Sequence, residues 1–541
     1  MFRSGILTLF TLAMMAGIEV RGQQPAVLPS GAPVPVQDTT KPIQLIQADV
    51  FRMIKKDSSG GGELNILKGH VILRQGTTTF YCDSAIQDTK LNQIEAFGNI
   101  HINDRDSVHT YSQYLRYAGD TKQAVLRKKV KLTDGKGVLT TEELQYDLGS
   151  KIGTYLTGGR LVNGKTVLNS KEGYYYAETH EAYFKKDVRL VDPEYKMETD
   201  TLLYAVDQDL ATFVAPTKIY DGRSTIRTKS GFYNLRTGNA SFGDRPLIQD
   251  STQTIVAEHI LYDKKTGKGN AEGNVLYRDT AQGMTMLTGQ AEFSSVTGEV
   301  LAYKKPVMIL KQEKDSVYVA ADTLFSTMQR DSTGKAIALK PKAGPVNAGN
   351  VTADSVRFFR AWYHVRIFSD SLQGVCDSLY YSSSDSVFRM FRDPVLWSQD
   401  NQLLGDTMYL FTKNKQPDQV VVFENGFAIG RTRENFHNQI RGTRINAGFL
   451  DGAIDYMRAK GSAESIYYLQ DQDSAYAGMN YSRADAITMY FGPKGMKKVS
   501  WVNGVEGTTY PLRQIPAEKK FLRNFKWIED RRPKTKWELF E

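Results

Sequence analysis

Seven histidines, at positions 70, 101, 109, 180, 259, 364 and 437, are the side chains best suited to acid–base or metal chemistry near neutral pH. None falls in an H-E-x-x-H pair or near a fitting third ligand. The chain has no G-x-S-x-G elbow, phosphate loop or dinucleotide fingerprint. Asp471-Gln472-Asp473 begins like a calcium loop but lacks the later ligands, so it reads as a polar turn. A D-[ST] pair recurs at Asp83-Ser84, Asp200-Thr201, Asp322-Thr323, Asp354-Ser355, Asp377-Ser378 and Asp406-Thr407. Carboxylates scattered on one face can cut polysaccharides, but a pair repeated in copy after copy is expected to be a hydrogen-bonded ladder or bulge. These patterns point to a protein that is not an enzyme, with no catalytic residues, no cofactor and no metal site.

What recurs is the backbone device that carries those pairs. The stretch Arg127–Leu156 holds an apolar anchor at Val130 and Leu132, a turn at Asp134-Gly135, a second extended run over Val138–Asp147 and another turn at Gly149. The anchor returns at Val71, Ile100, Val130, Leu161, Val188, Ile219, Leu247, Val275 and Val307, a period near 30 residues. Two turn signals per copy, such as Asn163-Gly164 and Thr266-Gly267, leave two extended segments, hence an antiparallel meander. Gly69, Gly98, Gly158-Gly159, Pro216, Gly273 and Pro306 precede the anchors, where Gly or Pro inside a strand marks a bend. Bending every strand at a matching place folds one long sheet into a V with facing walls.

Alternation then directs one set of side chains into the cleft. The candidates for an apolar groove are Val71, Leu73, Ile100, Ile102, Val130, Leu132, Leu144, Tyr146, Val188, Leu190, Leu202, Tyr204, Ile260, Tyr262, Val275 and Tyr277. The fold class expected is all-β: a repetitive bent antiparallel sheet of the β-jellyroll or β-taco solenoid kind, with a short C-terminal helix. Phe521, Leu522, Phe525 and Ile528 sit at helical spacing within 516–528, which predicts that helix as a cap over the last strand edge.

Met1–Gly22 reads as a secretory signal: Arg3 precedes the apolar run Ile6–Gly17, too short to span a bilayer. Residues 23–42 form a Pro-rich leader. The array is expected over 43–330, a loop or hinge over 331–350, a second, divergent array over 351–502 and a basic cap over 503–541. The net charge of +9 comes from 69 basic and 60 acidic residues that are well mixed, which argues against a nucleic-acid binder and allows an anionic partner. Basic residues outnumber acidic ones between Arg513 and Lys536, making 513–536 a candidate for peripheral membrane contact. Cys82 and Cys376 occupy equivalent positions roughly 100 Å apart in a straight array, which predicts no disulfide between them.

The copies Gly69–Leu73 (GHVIL), Gly98–Ile102 (GNIHI), Glu272–Tyr277 (EGNVLY) and Asp377–Tyr381 (DSLYY), behind a signal sequence, resemble the organic-solvent-tolerance family (OstA, LptA-like). The resemblance covers 43–330 well and 351–500 more loosely. It implies a taco-shaped β-jellyroll in the periplasm of a Gram-negative bacterium, associated with the outer membrane and its biogenesis. It also implies lipopolysaccharide or a related lipid as cargo, with its acyl chains held in the cleft. Partners would be other lipopolysaccharide-transport bridge or outer-membrane translocon proteins, joined through exposed edge strands. The alternative is a structural or adhesive exported β-solenoid without lipid cargo, its cleft filled by its own side chains.

Overall fold

The computed structural model describes residues 41–55, 63–311, 316–337, 355–432, 436–471, 475–492 and 495–541. The signal sequence, nearly all of the leader, and most of the 331–350 hinge lie outside the described residues.

Each strand is a long extended run whose residues alternate between core and solvent. Gln93–Asp104 shows that alternation from end to end, and Val108–Ala118 shows it on each side of Gln113-Tyr114, where the phase slips by one residue. Their neighbours are paired antiparallel, with a register shift at the middle of each, between Phe97 and Ile100 on one strand and opposite Tyr111 and Tyr114 on the next. The shift is the bend. On every second strand two consecutive residues there adopt positive φ, as at Gly98-Asn99, Lys128-Lys129, Lys186-Asp187, Gly273-Asn274 and Glu424-Asn425. Glycine is favoured at Gly98, where φ is +75° and a Cβ would lie 2.3 Å from Asp83 Oδ2 and push that side chain aside.

The D-[ST] acids face these corners. Asn99 Nδ2 donates to Asp83 Oδ2 at 2.9 Å, Asn425 Nδ2 donates to Asp406 Oδ2 at 2.9 Å, and His364 Nδ1 lies 2.8 Å from Asp322 Oδ2. Asp49, outside the recurring pair, holds His70 Nδ1 at 2.8 Å in the same way. The repeated acid is a corner brace, as a ladder residue should be. Asp354 lies outside the described residues.

Bent strands stack into one continuous antiparallel sheet folded lengthwise into two walls. The halves that follow the positive-φ bends form the first wall and the halves that precede them the second. Pairing runs through the expected hinge: Ser316–Ala320 and Thr323–Met328 both pair with Arg357–Phe368. One apolar core lies between the walls from Ile43 to Met489.

The C-terminus departs from expectation. Among the described residues there is no α-helix; Leu512–Gln514, Ala517–Lys519 and Lys536–Phe540 are single 3-10 turns. Residues 512–541 do not cap the last edge. They run back across the outer face of the first wall as a strap. Gln439 and Gln402, both buried, grip its backbone: Leu522 N donates to Gln439 Oε1 at 2.8 Å, and Ile528 N donates to Gln402 Oε1 at 2.7 Å. Their amide nitrogens donate to Lys520 O at 2.9 Å and Lys526 O at 2.7 Å. Leu522 packs on Phe427, Ile429 and Ile466, and Ile528 packs beside Trp397. The apolar spacing was real, but a short isolated helix is marginal in water, and this wall offered both apolar surface and hydrogen-bond partners.

Candidate functional site: the cleft and its mouth

The groove candidates divide between the walls and all face inward. Val71, Leu73, Ile100, Ile102, Val130, Leu132, Val188, Leu190, Val275 and Tyr277 lie on the first wall. Leu144, Tyr146, Leu202, Tyr204, Ile260 and Tyr262 lie on the second. All belong to the single core, and the most exposed, Tyr262, is 8% accessible. The walls touch. A Cβ at Gly153 on the second wall would lie 3.5 Å from Leu132 on the first, and the Phe80 and Tyr117 rings meet across the cleft at 4.8 Å.

Alternation sends their neighbours outward. His101, between Ile100 and Ile102, is half-buried on the outer face, where it stacks on Tyr111 at 4.6 Å and meets His109 at 3.1 Å. Burial, and then the neighbouring His109, lower its pKa below the usual histidine value. Among the described residues no three His, Cys, Asp or Glu side chains converge as a metal site.

The mouth of the V is closed by a feature that sequence reading caught only in part. Tyr117, Tyr146, Tyr175, Tyr204, Tyr233 and Tyr262 recur every 29 residues and are all buried at the mouth edge of the second wall. Opposite them, at the end of the first wall or in the turn that follows, stand Gln75, Asp104, Asp134, Asn163, Asp192 and Asp221, 29 or 30 residues apart. Tyr117 donates to Gln75 Oε1 and Tyr175 to Asp134 Oδ2. Tyr204 accepts from Asn163 Nδ2 at 3.2 Å and donates to Asp209 Oδ1 at 3.1 Å. Tyr262 meets Ser295 at 3.3 Å. The Tyr146 and Tyr233 hydroxyls are buried without a protein partner. Burial, with nearby carboxylates adding to it, raises all six hydroxyl pKa values, so the row stays neutral at physiological pH. Tyr117, Tyr175 and Tyr233 were not singled out from sequence, although the 29-residue recurrence of tyrosine was the available signal.

Both ends of the sheet are open edges. Val50–Lys55 is exposed along its whole length, with Val50, Phe51, Met53 and Ile54 in solvent, and Glu506–Pro511 is nearly as bare at the other end.

Residues 40–200 match the model of a family described as OstA-like protein. This segment belongs to the OstA-like family. It covers the strands from Gln44–Gln47 to within Lys196–Ala205, and the same bent-strand repeat continues beyond it to Glu506–Pro511. No curated protein matches the chain. The match supports a lipopolysaccharide- and lipid-transport family.

Proposed function

We propose that this OstA-like protein is a non-enzymatic periplasmic bridge that carries lipopolysaccharide towards the outer membrane, holding its acyl chains between the two walls. The observation that carries this reading is the uninterrupted apolar core along the V, closed at its mouth by side chains rather than backbone. Covalent continuity joins the walls only at the bends. Parting them at the mouth exchanges side-chain packing for packing against acyl chains, so apolar burial is replaced rather than lost. Each methylene taken from water contributes about 0.8 kcal/mol. The opposing cost falls on the tyrosine row, where a hydrogen bond is worth about 1 kcal/mol. A cleft of this kind needs no specific pocket. The open edges at Val50–Lys55 and Glu506–Pro511 would receive partner strands from other bridge or translocon proteins by edge pairing.

A second reading has its own observation. Every groove candidate is already buried by the protein itself, which is what a structural or adhesive β-solenoid without cargo requires. Photo-crosslinking in cells separates the two. Crosslinkers at Ile100 and Ile102 should capture lipid, while those at His101 and Asn103 should not. Equal labelling of both faces, or of neither, refutes the conduit and leaves the solenoid.

A further inference from the structure

The outer face of the first wall carries a row of cations that the cleft does not use. Lys131, Arg160, Arg189 and Lys218 follow one another at 29-residue intervals, and all four are exposed. Register aligns them: Lys131 pairs with Thr140, Thr140 with Arg160, Arg160 with Asn169, Asn169 with Arg189, Arg189 with Glu198, and Glu198 with Lys218. Arg227, also exposed, then stands opposite Lys218. The cations from Lys131 to Lys218 are two strands apart, about 9.6 Å. Glu198 is the only acid in the row.

Lys131 lies 5.5 Å from the centre of the Tyr111 ring, a contact that leaves its charge in place. Nearby Lys171 and Lys186 are paired with Asp187 and Glu172, whereas none of the five in the row has an ion-pair partner among the described residues. Two shallow depressions lie along the row. One, of about 460 Å³, is lined by Lys129, Lys131 and Arg160 with Glu142; the other, of about 590 Å³, is lined by five cations, Arg189, Lys218, Arg227, Lys229 and Arg245, with four carboxylates, Asp187, Glu198, Asp200 and Asp244. Val191 and Tyr220, on the same face towards the mouth, are 43% and 47% exposed. Along the bends the charges are mixed, with Glu142, Asp187 and Asp200 set against Lys129 and Lys229.

We propose that this face is a docking surface for an anionic lipid bilayer. Phosphate headgroups would sit in the depressions between cations, and Val191 and Tyr220 would enter the interfacial layer. Charge complementarity selects an anionic partner, and the regularly spaced row with exposed apolar side chains beside it favours a headgroup layer, which takes up charged and apolar groups together, over a polyanion. The proposal does not depend on lipid in the cleft.

The test is vesicle flotation of the mature full-length protein. It should float with phosphatidylcholine vesicles containing phosphatidylglycerol, fail to float with phosphatidylcholine alone, and detach as salt rises. Each of Lys131→Gln, Arg160→Gln, Arg189→Gln, Lys218→Gln and Arg227→Gln should lower partitioning about fivefold. Combining the five should abolish flotation, whereas a control carrying Gln at Lys413, Arg458, Lys460, Lys497 and Lys498, exposed cations of the second wall, matches the net-charge change of this fivefold variant and should bind like the parent. Circular dichroism confirms that the variants keep their strand content, and the single substitutions serve if the fivefold one does not. Equal loss in the control, unchanged binding in the row variants, or equal flotation with neutral vesicles overturns the proposal. Cleft crosslinking is read separately, so either idea can fail alone.

Discussion

The tyrosine row gives a prediction with opposite signs at two of its copies. Tyr146 and Tyr204 hold the same place two copies apart but differ in hydrogen bonding. The Tyr204 hydroxyl has Asn163 at 3.2 Å and Asp209 at 3.1 Å, whereas the buried Tyr146 hydroxyl has no protein partner. Tyr204→Phe removes two contacts from a half-buried amide and carboxylate, which keep each other as partners, a cost of about 1–2 kcal/mol. Tyr146→Phe removes a polar atom that already carries its desolvation penalty, so it should stabilise by about 1 kcal/mol. A repeat array opens locally, so the readout is native-state hydrogen exchange of the strands concerned. About 1.4 kcal/mol is tenfold in an equilibrium constant. Tyr204→Phe should therefore raise exchange across Lys196–Ala205 about tenfold, while Tyr146→Phe slows it across Val138–Asp147. If Tyr146→Phe accelerates exchange as Tyr204→Phe does, the hydroxyl has a partner and the view of the mouth as a partly satisfied latch is wrong.

Three further outcomes are expected. Gln402→Ala deprives Lys526 O, Ile528 N and the Trp397 indole of their shared partner, so the strap should loosen by about 2–3 kcal/mol and be cut sooner by protease after 512. Burial pushes the Cys82 and Cys376 thiols up to about 12, so both should resist alkylation at pH 8 in the folded protein and react only with denaturant; rapid native labelling would contradict their place in the core. Burial alone would raise the Glu464 carboxyl, but Arg483 and Arg441 outweigh it and hold its pKa below the ordinary value. Its stabilisation is thus complete above the unfolded pKa of about 4.3 and lost as pH falls through the lower folded value. Acid unfolding followed by tryptophan fluorescence should accordingly lose part of its pH dependence between about pH 4.3 and the lower folded value in Glu464→Gln.

The sequence by itself determined the repeat, the bend and the alternation. A period near 30 with paired turns leaves a meander as the economical solution, and a two-residue side-chain period allows only one partition between core and solvent once a face is buried. Val71, Ile100 and Val130 were legible for that reason, as was the bracing role of Asp83 and Asp406. Tertiary structure decided what depends on contacts distant in sequence. It put Leu144 and Val130 on opposite walls, closed the cleft with tyrosines whose partners lie about 40 residues away, and aligned Lys131 with Arg160 through Thr140. It also turned the apolar spacing of 516–528 into a strap. Local periodicity records which side of its own strand or helix a residue takes. It carries no record of which distant surface will offer that residue a partner, and in a folded-over sheet that surface is set by register summed across many strands.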